Sequence, residues 1–467
     1  MKKILLLLII CTSLQSQWKE IYATYDDETN GTGDNTTDVI VLGENKFVAL
    51  CTQRNTTCYL IPYVGADSAL GRKQFYGYSP ATDGIFQKWI QGFDEVELKN
   101  AWHATSGNDG SIYVANNDSL HNILVFKMVG DTIDAIDYRL ETGKNGISGI
   151  AVDSLGFVYV LNDTTNGKND DIKIYPPKSQ WPNTRLLNPI KTINLPDGIY
   201  KSLVVTQDGN QIFIADYLNR KILRYIGFPN SGYSLDSKFK FSVPATDTNL
   251  IGVIYDTAYV VSLGYLKGKN LLFAGLNKFL GGTSWYKYSK IYTINPNTGI
   301  VLDTINQAKW NFDLTGGYNK RGNGTVPGNA SGYASPYDIE FDNKNNLYTV
   351  SYYGWTVEKW SYDGILPTIL SVKEIPNLMP RNFSIEQNFP NPFNPVTTIR
   401  FSILENDNIS ITIKNILGQT ILTPLNEKIK IGVHELTLDM SKQPSGNYFY
   451  SISNGKEIIT KKMMLVK

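Results

Sequence analysis

Cysteine and histidine are scarce in this 467-residue chain, at three residues each. That excludes a disulfide-dense scaffold and the Cys/His clusters of structural zinc modules. Charge is also sparse, at 19% against the roughly 25% of an average soluble domain, and 44 Lys+Arg against 43 Asp+Glu leave +1. A surface for nucleic acid or anionic lipid needs a basic surplus, so neither partner class is expected. Long apolar runs are missing beyond Ile4 to Ile10, which falls short of the ~20 residues that span a bilayer. No Gly-x-Ser-x-Gly elbow or Cys-x-x-Cys pair occurs, and the Gly-rich 316–332 segment lacks the Gly-Lys-Ser/Thr ending of a phosphate loop. What is abundant is 29 Tyr and 39 Gly, which favour strands and tight turns and give an all-β expectation.

The N-terminus carries Lys2 and Lys3, the short apolar run and then small or polar residues to Ser16, the layout of a secretory signal peptide. Bulky Ile10 before Cys11 argues against a lipoprotein cleavage site. Removing residues 1–16 leaves Cys51 and Cys58, which in an oxidising compartment can close a small disulfide loop. Two buried thiols are the other reading, but the turn-like Arg54-Asn55-Thr56-Thr57 between them favours the disulfide.

One phrase then recurs: a polar turn, an aromatic or β-branched strand, a second turn and another strand. It is clear at Asp109 to Asn116 with Ile123 to Phe126, at Gly149 to Val160 with Ile172 to Tyr175, and at Leu203 to Asp216 with Lys221 to Tyr225. Weaker copies lie at Glu44 to Leu50, Lys269 to Gly275 and Asp342 to Val350. The copies start near 38, 101, 147, 199, 250 and 334, and the middle ones are spaced about 46 to 52 residues apart. A repeat of roughly 40–50 residues with four short strands is the period of a β-propeller blade. We expect a six-bladed propeller over residues 17–370, with seven blades as the alternative, and Trp18 to Tyr25 pairing beside Val357 to Tyr362 to close the ring.

The Gly149 to Val160 phrase and the Asp208 to Tyr225 phrase resemble NHL-type repeats, a likeness that implies the propeller fold and little about function. Gluconolactonase-like propellers, which hold a divalent cation in the channel, offer a residue-by-residue comparison. Asp216 falls at that family's metal-binding Asp, but Lys201 stands where its Asn would, and no Glu-Gly-Pro-like segment supplies the Glu. An ammonium repels a divalent cation, so no metal site is expected and Asp216 reads as a turn cap. His103, His121 and His434 show no ligand spacing. Calcium is the one cofactor worth weighing, because Asp26 to Gly31 begins like a calcium loop. Thr37 replaces its closing Glu, and Asn162 to Asp171 likewise ends at Lys173, so both read as solvated turns.

After Asp363-Gly364 come Pro367, Pro376 and Pro380, giving a linker at 371–382. Pro390, Pro392 and Pro395 then forbid a helix and lead into alternating strands at Thr397 to Ile403, Ile409 to Ile413, Val433 to Leu438, Tyr448 to Ile452 and Ile458 to Val466. That pattern is a small antiparallel, Ig-like β-sandwich over 383–467. The segment resembles the type A C-terminal sorting domain of type IX (Por) secretion cargo. The resemblance rests on Gln387-Asn388-Phe389-Pro390-Asn391-Pro392-Phe393-Asn394-Pro395, Ile416-Leu417-Gly418-Gln419, Ser445-Gly446-Asn447-Tyr448 and Lys461-Lys462-Met463-Met464. It implies handling by the type IX translocon and sorting machinery, passage through the periplasm, and a final location outside the cell or on its outer surface without a transmembrane anchor.

With no complete catalytic set, the sequence favours a non-catalytic propeller that binds a glycan or protein ligand, over a metal-dependent hydrolase, lactonase-like enzyme or lyase. Candidate ligand contacts are Asn116, Asn162, Asp216 and Ser351, which share one blade position with Cys51 and Leu276. Exposed aromatics are further candidates in Trp285-Tyr286-Lys287-Tyr288, Tyr352-Tyr353-Gly354-Trp355 and Trp360. The charge divides to match: residues 1–16 carry +2, residues 383–467 carry +2, and the cargo between them carries −3.

Overall fold

The computed structural model describes residues 17–24, 35–53, 57–64, 76–79, 84–85, 98–117, 121–130, 132–141, 146–163, 167–244, 246–248, 254–256, 258–277, 288–315, 335–351, 356–364, 366–369, 372–374 and 383–467. The expected signal peptide at residues 1–16, the calcium-loop-like Asp26 to Gly31, the Gly-rich 316–332 segment, Trp285 to Lys287 and Tyr352 to Trp355 lie outside the described residues. The chain divides into two compact units, Met1–Pro367 and Thr368–Lys467.

The first unit holds six sheets of four or five strands among the described residues, antiparallel except where Leu186–Leu187 pairs in parallel with Thr132–Glu141. Their first strands are Asn35–Gly43, His103–Ser106, Ile147–Val152, Tyr200–Val205, Tyr259–Leu266 and Pro336–Phe341. Each packs against the first strand of the next sheet, and the last packs against the first, so six blades close around an axis. The ring is sealed as the alternation suggests. Trp18–Ala23 forms the fourth strand of blade six, antiparallel to Thr356–Tyr362 with Trp18 opposite Tyr362 and Ala23 opposite Glu358. A sheet made from both ends of the unit leaves the circle without an open seam.

The turns follow from residue type. Gly110 and Gly209 take φ of +74° and +67°, a conformation that L side chains resist, which is why Asp-Gly opens these hairpins. The core sits between blades. Ile40, Leu50, Cys58, Ile112, Val114 and Phe126 fill the space between blades one and two, and Tyr159, Leu161, Ile174, Leu203, Ile212 and Ile214 that between three and four. Blades five and six meet through aromatic rings, with Phe273 5.8 Å from Trp18 and 4.7 Å from Phe341.

The disulfide expectation is corrected here. Cys51 lies opposite Tyr59 and Thr52 opposite Cys58, so the two cysteines sit one step apart along the ladder, and side chains alternate between faces. Cys51 packs into the cluster shared with blade six and Cys58 into the one shared with blade two. Both remain thiols on opposite faces of the sheet.

The second unit is a two-sheet sandwich. One sheet orders Val372–Glu374, Gly432–Asp439, Val396–Ile403 and Ser384–Ile385. The other orders Thr420–Ile429, Asp407–Lys414, Gly446–Ser453 and Ile458–Leu465. Ile399, Phe401, Ile411, Ile413, Leu436, Tyr450 and Met463 make its core. Besides the two-residue Ser384–Ile385, two strands were not read from the sequence. Thr420–Ile429 contains Pro424 and little alternation because it is an edge strand with a wet outer side. Val372–Glu374 lies within the expected linker and pairs with His434, Glu435 and Leu436.

Candidate functional site

A cavity of about 80 Å³ lies on the axis of the ring, with walls from all six first strands. Its geometry originates in irregular pairing. The register between first and second strands shifts between Thr36 and Asp38, Ile147 and Gly149, Tyr200 and Ser202, Val260 and Ser262, and Pro336 and Ile339. A bulge adds a residue to one strand and re-aims the side chains beside it. The residues that follow the first four bulges, with His103 at the matching place in the straight blade two and Asp338 within the irregular stretch of blade six, form one ring: Asp38, His103, Gly149, Ser202, Ser262 and Asp338.

The ring clasps neighbouring blades. Asp338 Oδ2 accepts from Val39 N–H at 3.1 Å, Asp38 Oδ2 from Ala104 N–H at 3.1 Å, and Ser202 Oγ from Leu263 N–H at 3.1 Å. Ser262 Oγ donates to the Pro336 carbonyl at 2.5 Å. Gly149 has a steric reason: a Cβ there would stand 2.7 Å from Leu203 Cδ2 of the next blade.

The electrostatics are uneven around this ring. Asp38, Asp338 and Glu340 crowd one arc, close enough for their charges to act on one another. Asp38 is 2% exposed, while Asp338 and Glu340 keep part of their surface open to the cavity. Burial among protein atoms raises the cost of ionising each of them. Burial, then the Asp338 charge, raises Asp38 well above the usual carboxylate range. Burial pushes Asp338 up to about 6 against the pull of the Val39 N–H. Burial and the Asp338 charge push Glu340 up to about 8, partly offset by Lys267. His103, 3.8 Å from Asp38 through Nδ1, is pushed down to about 4 by burial and by Lys201, so it is neutral at pH 7. The site can therefore accept hydrogen bonds from a cationic or neutral donor and hold or release protons as it does so.

Asn116, Asn162, Asp216 and Ser351 do share one blade position, at the ends of the second strands, but the cavity walls contain none of them. All four are buried and engaged within the propeller. Asn116 Oδ1 accepts from Lys99 N–H at 2.6 Å, and its Nδ2 donates to His121 O at 2.7 Å. Asn162 Nδ2 donates to Asp171 Oδ1 at 2.9 Å, and Ser351 Oγ donates to Glu358 Oε1 at 2.8 Å. Asp216 accepts from Asn219 N–H at 3.1 Å and lies 3.6 Å from Lys221 Nζ. Of the expected aromatic contacts, Tyr288 and Trp360 are buried, and Trp360 stacks edge-on against Trp310 at 5.0 Å. Among the described residues no three His, Cys, Asp or Glu side chains are arranged to hold a metal ion. The sequence signal for the true lining was an acidic residue opening a blade's first strand, visible at Asp38 and Asp338 when first strands are aligned instead of second.

In the second unit the Gln387 to Pro395 run and the last strand build one another. Phe393, 2% exposed, bridges in parallel to Leu465, its N–H donating to Met464 O at 3.0 Å and its carbonyl accepting from Val466 N–H at 2.9 Å. Asn391 Oδ1 accepts from Met464 N–H at 2.9 Å, and Pro395 O from Met440 N–H at 3.0 Å. Buried Asn388 donates through Nδ2 to Pro390 O at 3.0 Å and Thr397 Oγ1 at 2.9 Å. Pro392 and Asn394 are exposed. Gly418 turns at φ +77°, Gly446 opens the strand that carries Tyr448, and Lys461 and Lys462 lie opposite Tyr450 and Phe449.

These features define the class: an all-β exported protein in which a propeller precedes an address domain. Residues 387–467 match the family described as secretion system C-terminal sorting domain. The chain is thus a type IX secretion cargo destined for the cell surface or extracellular space, and no helix among the described residues is long and apolar enough to cross a membrane. No curated protein matches the chain. Among solved structures it is similar to PorZ, a bacterial surface component of the type IX secretion system of Porphyromonas gingivalis, at 12% identity and TM-score 0.36, over 92% of this chain and 52% of that one. The chain therefore spans about half of PorZ. It is also similar to a protein of unknown function from Bacteroides thetaiotaomicron, at 14% identity and TM-score 0.45, over 74% and 76% of the two chains. Virginiamycin B lyase from Staphylococcus aureus gives 12% identity and TM-score 0.38, over 74% and 99%. Likenesses this distant bear on no site chemistry.

Proposed function

We propose that the propeller works outside the cell as a non-catalytic binding module and takes its ligand at the axial cavity. The observation that carries this reading is the ring of equivalent positions. Asp38 and Asp338 clasp adjoining blades through one oxygen, while Asp38, Asp338 and Glu340 all line the same axial cavity. A site built on six rigid strands is preorganised for recognition. A metal-dependent hydrolase or lyase reading rests on Asp216, whose carboxylate already has Asn219 and Lys221 beside it. The test is a thermal-shift screen of the full chain against sugars, amino acids, short peptides, organic acids and amines, repeated with Asp338→Asn. The expected result is a stabilising ligand whose effect disappears in the variant. Conversion of that ligand to products, or equal stabilisation of both proteins by every hit, overturns the proposal.

A further inference from the structure

We infer that the axial cavity takes a primary ammonium group, held between the carboxyls of Asp38, Asp338 and Glu340. The inference rests on the cavity being the ligand site and names the chemistry of what enters it. Three carboxyls share one arc of the wall, whereas the opposite arc supplies Ile150, Ser202 and Leu203. Two of those carboxyls are fixed from behind: Asp38 and Asp338 each spend Oδ2 on the N–H of the next blade. Asp38 Oδ1 is left buried, with no hydrogen bond from an N–H or hydroxyl of the protein. A buried carboxylate oxygen without a donor is costly, and a charged donor is what satisfies it best.

Size narrows the class. A cavity of about 80 Å³ has room for an aminomethyl tip between the strands. An anion meets the three acids. A divalent ion lacks a converging trio of ligands among the described residues. An ammonium carries three donors with adaptable directions, which suits carboxyls on two neighbouring strands.

Proton linkage follows from the surroundings. The carboxyls face one another across blades six and one. They also face His103 from blade two, which Lys201 of blade four influences in turn, and Tyr265 and Lys267 from blade five. In the empty ring protons take the place of a cation, since burial holds Glu340 protonated near neutrality and raises Asp38 well above the usual carboxylate range. An entering ammonium displaces them.

The experiment is calorimetric titration of the full chain with methylammonium chloride at pH 5 and pH 8, in buffers of different ionisation enthalpy. Tetramethylammonium chloride, which cannot donate, and sodium chloride serve as controls. Expected are saturable binding at pH 8, weakening by at least about tenfold at pH 5, and release of about one proton per amine bound. Asp338→Asn keeps an oxygen for Val39 N–H and should lose at least about tenfold in affinity, while exposed Asp109→Asn should lose none. If the Asp338 variant does not fold, proton release by the natural chain still decides. Absence of saturable binding at pH 8, binding without proton release, or equal binding of tetramethylammonium overturns the inference. If methylammonium fails but another ligand from the screen still requires Asp338, only the ammonium assignment falls. If no ligand requires Asp338, the cavity reading falls with it.

Discussion

Trp18→Ala tests the closure of the propeller ring quantitatively. Trp18 is 4% exposed and meets Tyr362 edge-on at 5.2 Å and Phe273 at 5.8 Å, so one side chain ties the closing strand to two blades. Truncating a buried Trp costs about 3–5 kcal/mol through lost transfer energy and the cavity left behind. That is a large share of the roughly 5–15 kcal/mol by which a domain is stable. The adjacent Lys19 provides the comparison, because its contact with Asp363 is between side chains 68% and 65% exposed. Such an exposed pair contributes about 0.2–1 kcal/mol. Urea unfolding followed by circular dichroism should therefore separate Trp18→Ala from Lys19→Ala by at least about 2 kcal/mol. Deleting residues 17–24 should cost more still, because it also removes the ladder to Thr356–Tyr362 and the Thr24 contacts at 2.8 and 2.9 Å with Val357. A Trp18→Ala loss below about 1 kcal/mol, or one equal to that of Lys19→Ala, would refute the lock.

Stability of the propeller should fall as pH rises from about 4 to 6. Burial raises the folded-state pKa of Asp338 to about 6, so the folded chain binds more protons than the unfolded one in that window, and the stabilisation present below about 4 is lost through 6. The shift at Asp338 corresponds to roughly 3 kcal/mol, and Asp338→Asn should flatten the urea-midpoint profile by that order; an unchanged slope sinks the assignment. Phe393→Ala should destabilise the sorting domain by about 3–5 kcal/mol and leave cargo in the periplasm, because Phe393 joins the motif to the last strand. Undiminished secretion of that variant by a type IX-competent host, measured by immunoblot of the medium, would contradict this. Mature protein should yield two alkylatable thiols on unfolding without reductant, read by intact mass, and a mass two hydrogens short of that would restore the disulfide.

The propeller was legible because its turns are written locally: Asp-Gly and Asn-rich turns recur between strands whose alternation follows the pleat. Ring closure was legible for the same reason, since Trp18 to Ala23 is a strand without a partner in its own neighbourhood. The axial site was not. Alignment on the aromatic second strands leads to Asn116, Asn162, Asp216 and Ser351, whereas the cavity is lined by first strands whose single-residue bulges shift the side-chain phase invisibly to a strict period-two reading. The disulfide failed on the same arithmetic. A short interval between cysteines implies proximity, but the offset pairing with Tyr59 and Thr52 sends the two sulfurs to opposite faces.

The central claim is that buried carboxyls of blades six and one form a coupled group on the ring axis. The most direct measurement is a pH titration of the ¹³C carboxyl shifts of Asp38, Asp338 and Glu340 in the full chain, assigned by Asp→Asn and Glu→Gln substitution. The structure predicts midpoints of about 6 for Asp338 and about 8 for Glu340, with Asp38 well above the ordinary range and its titration altered when Asp338 is replaced. Three independent transitions near pH 4, as for carboxyls in open water, would contradict it.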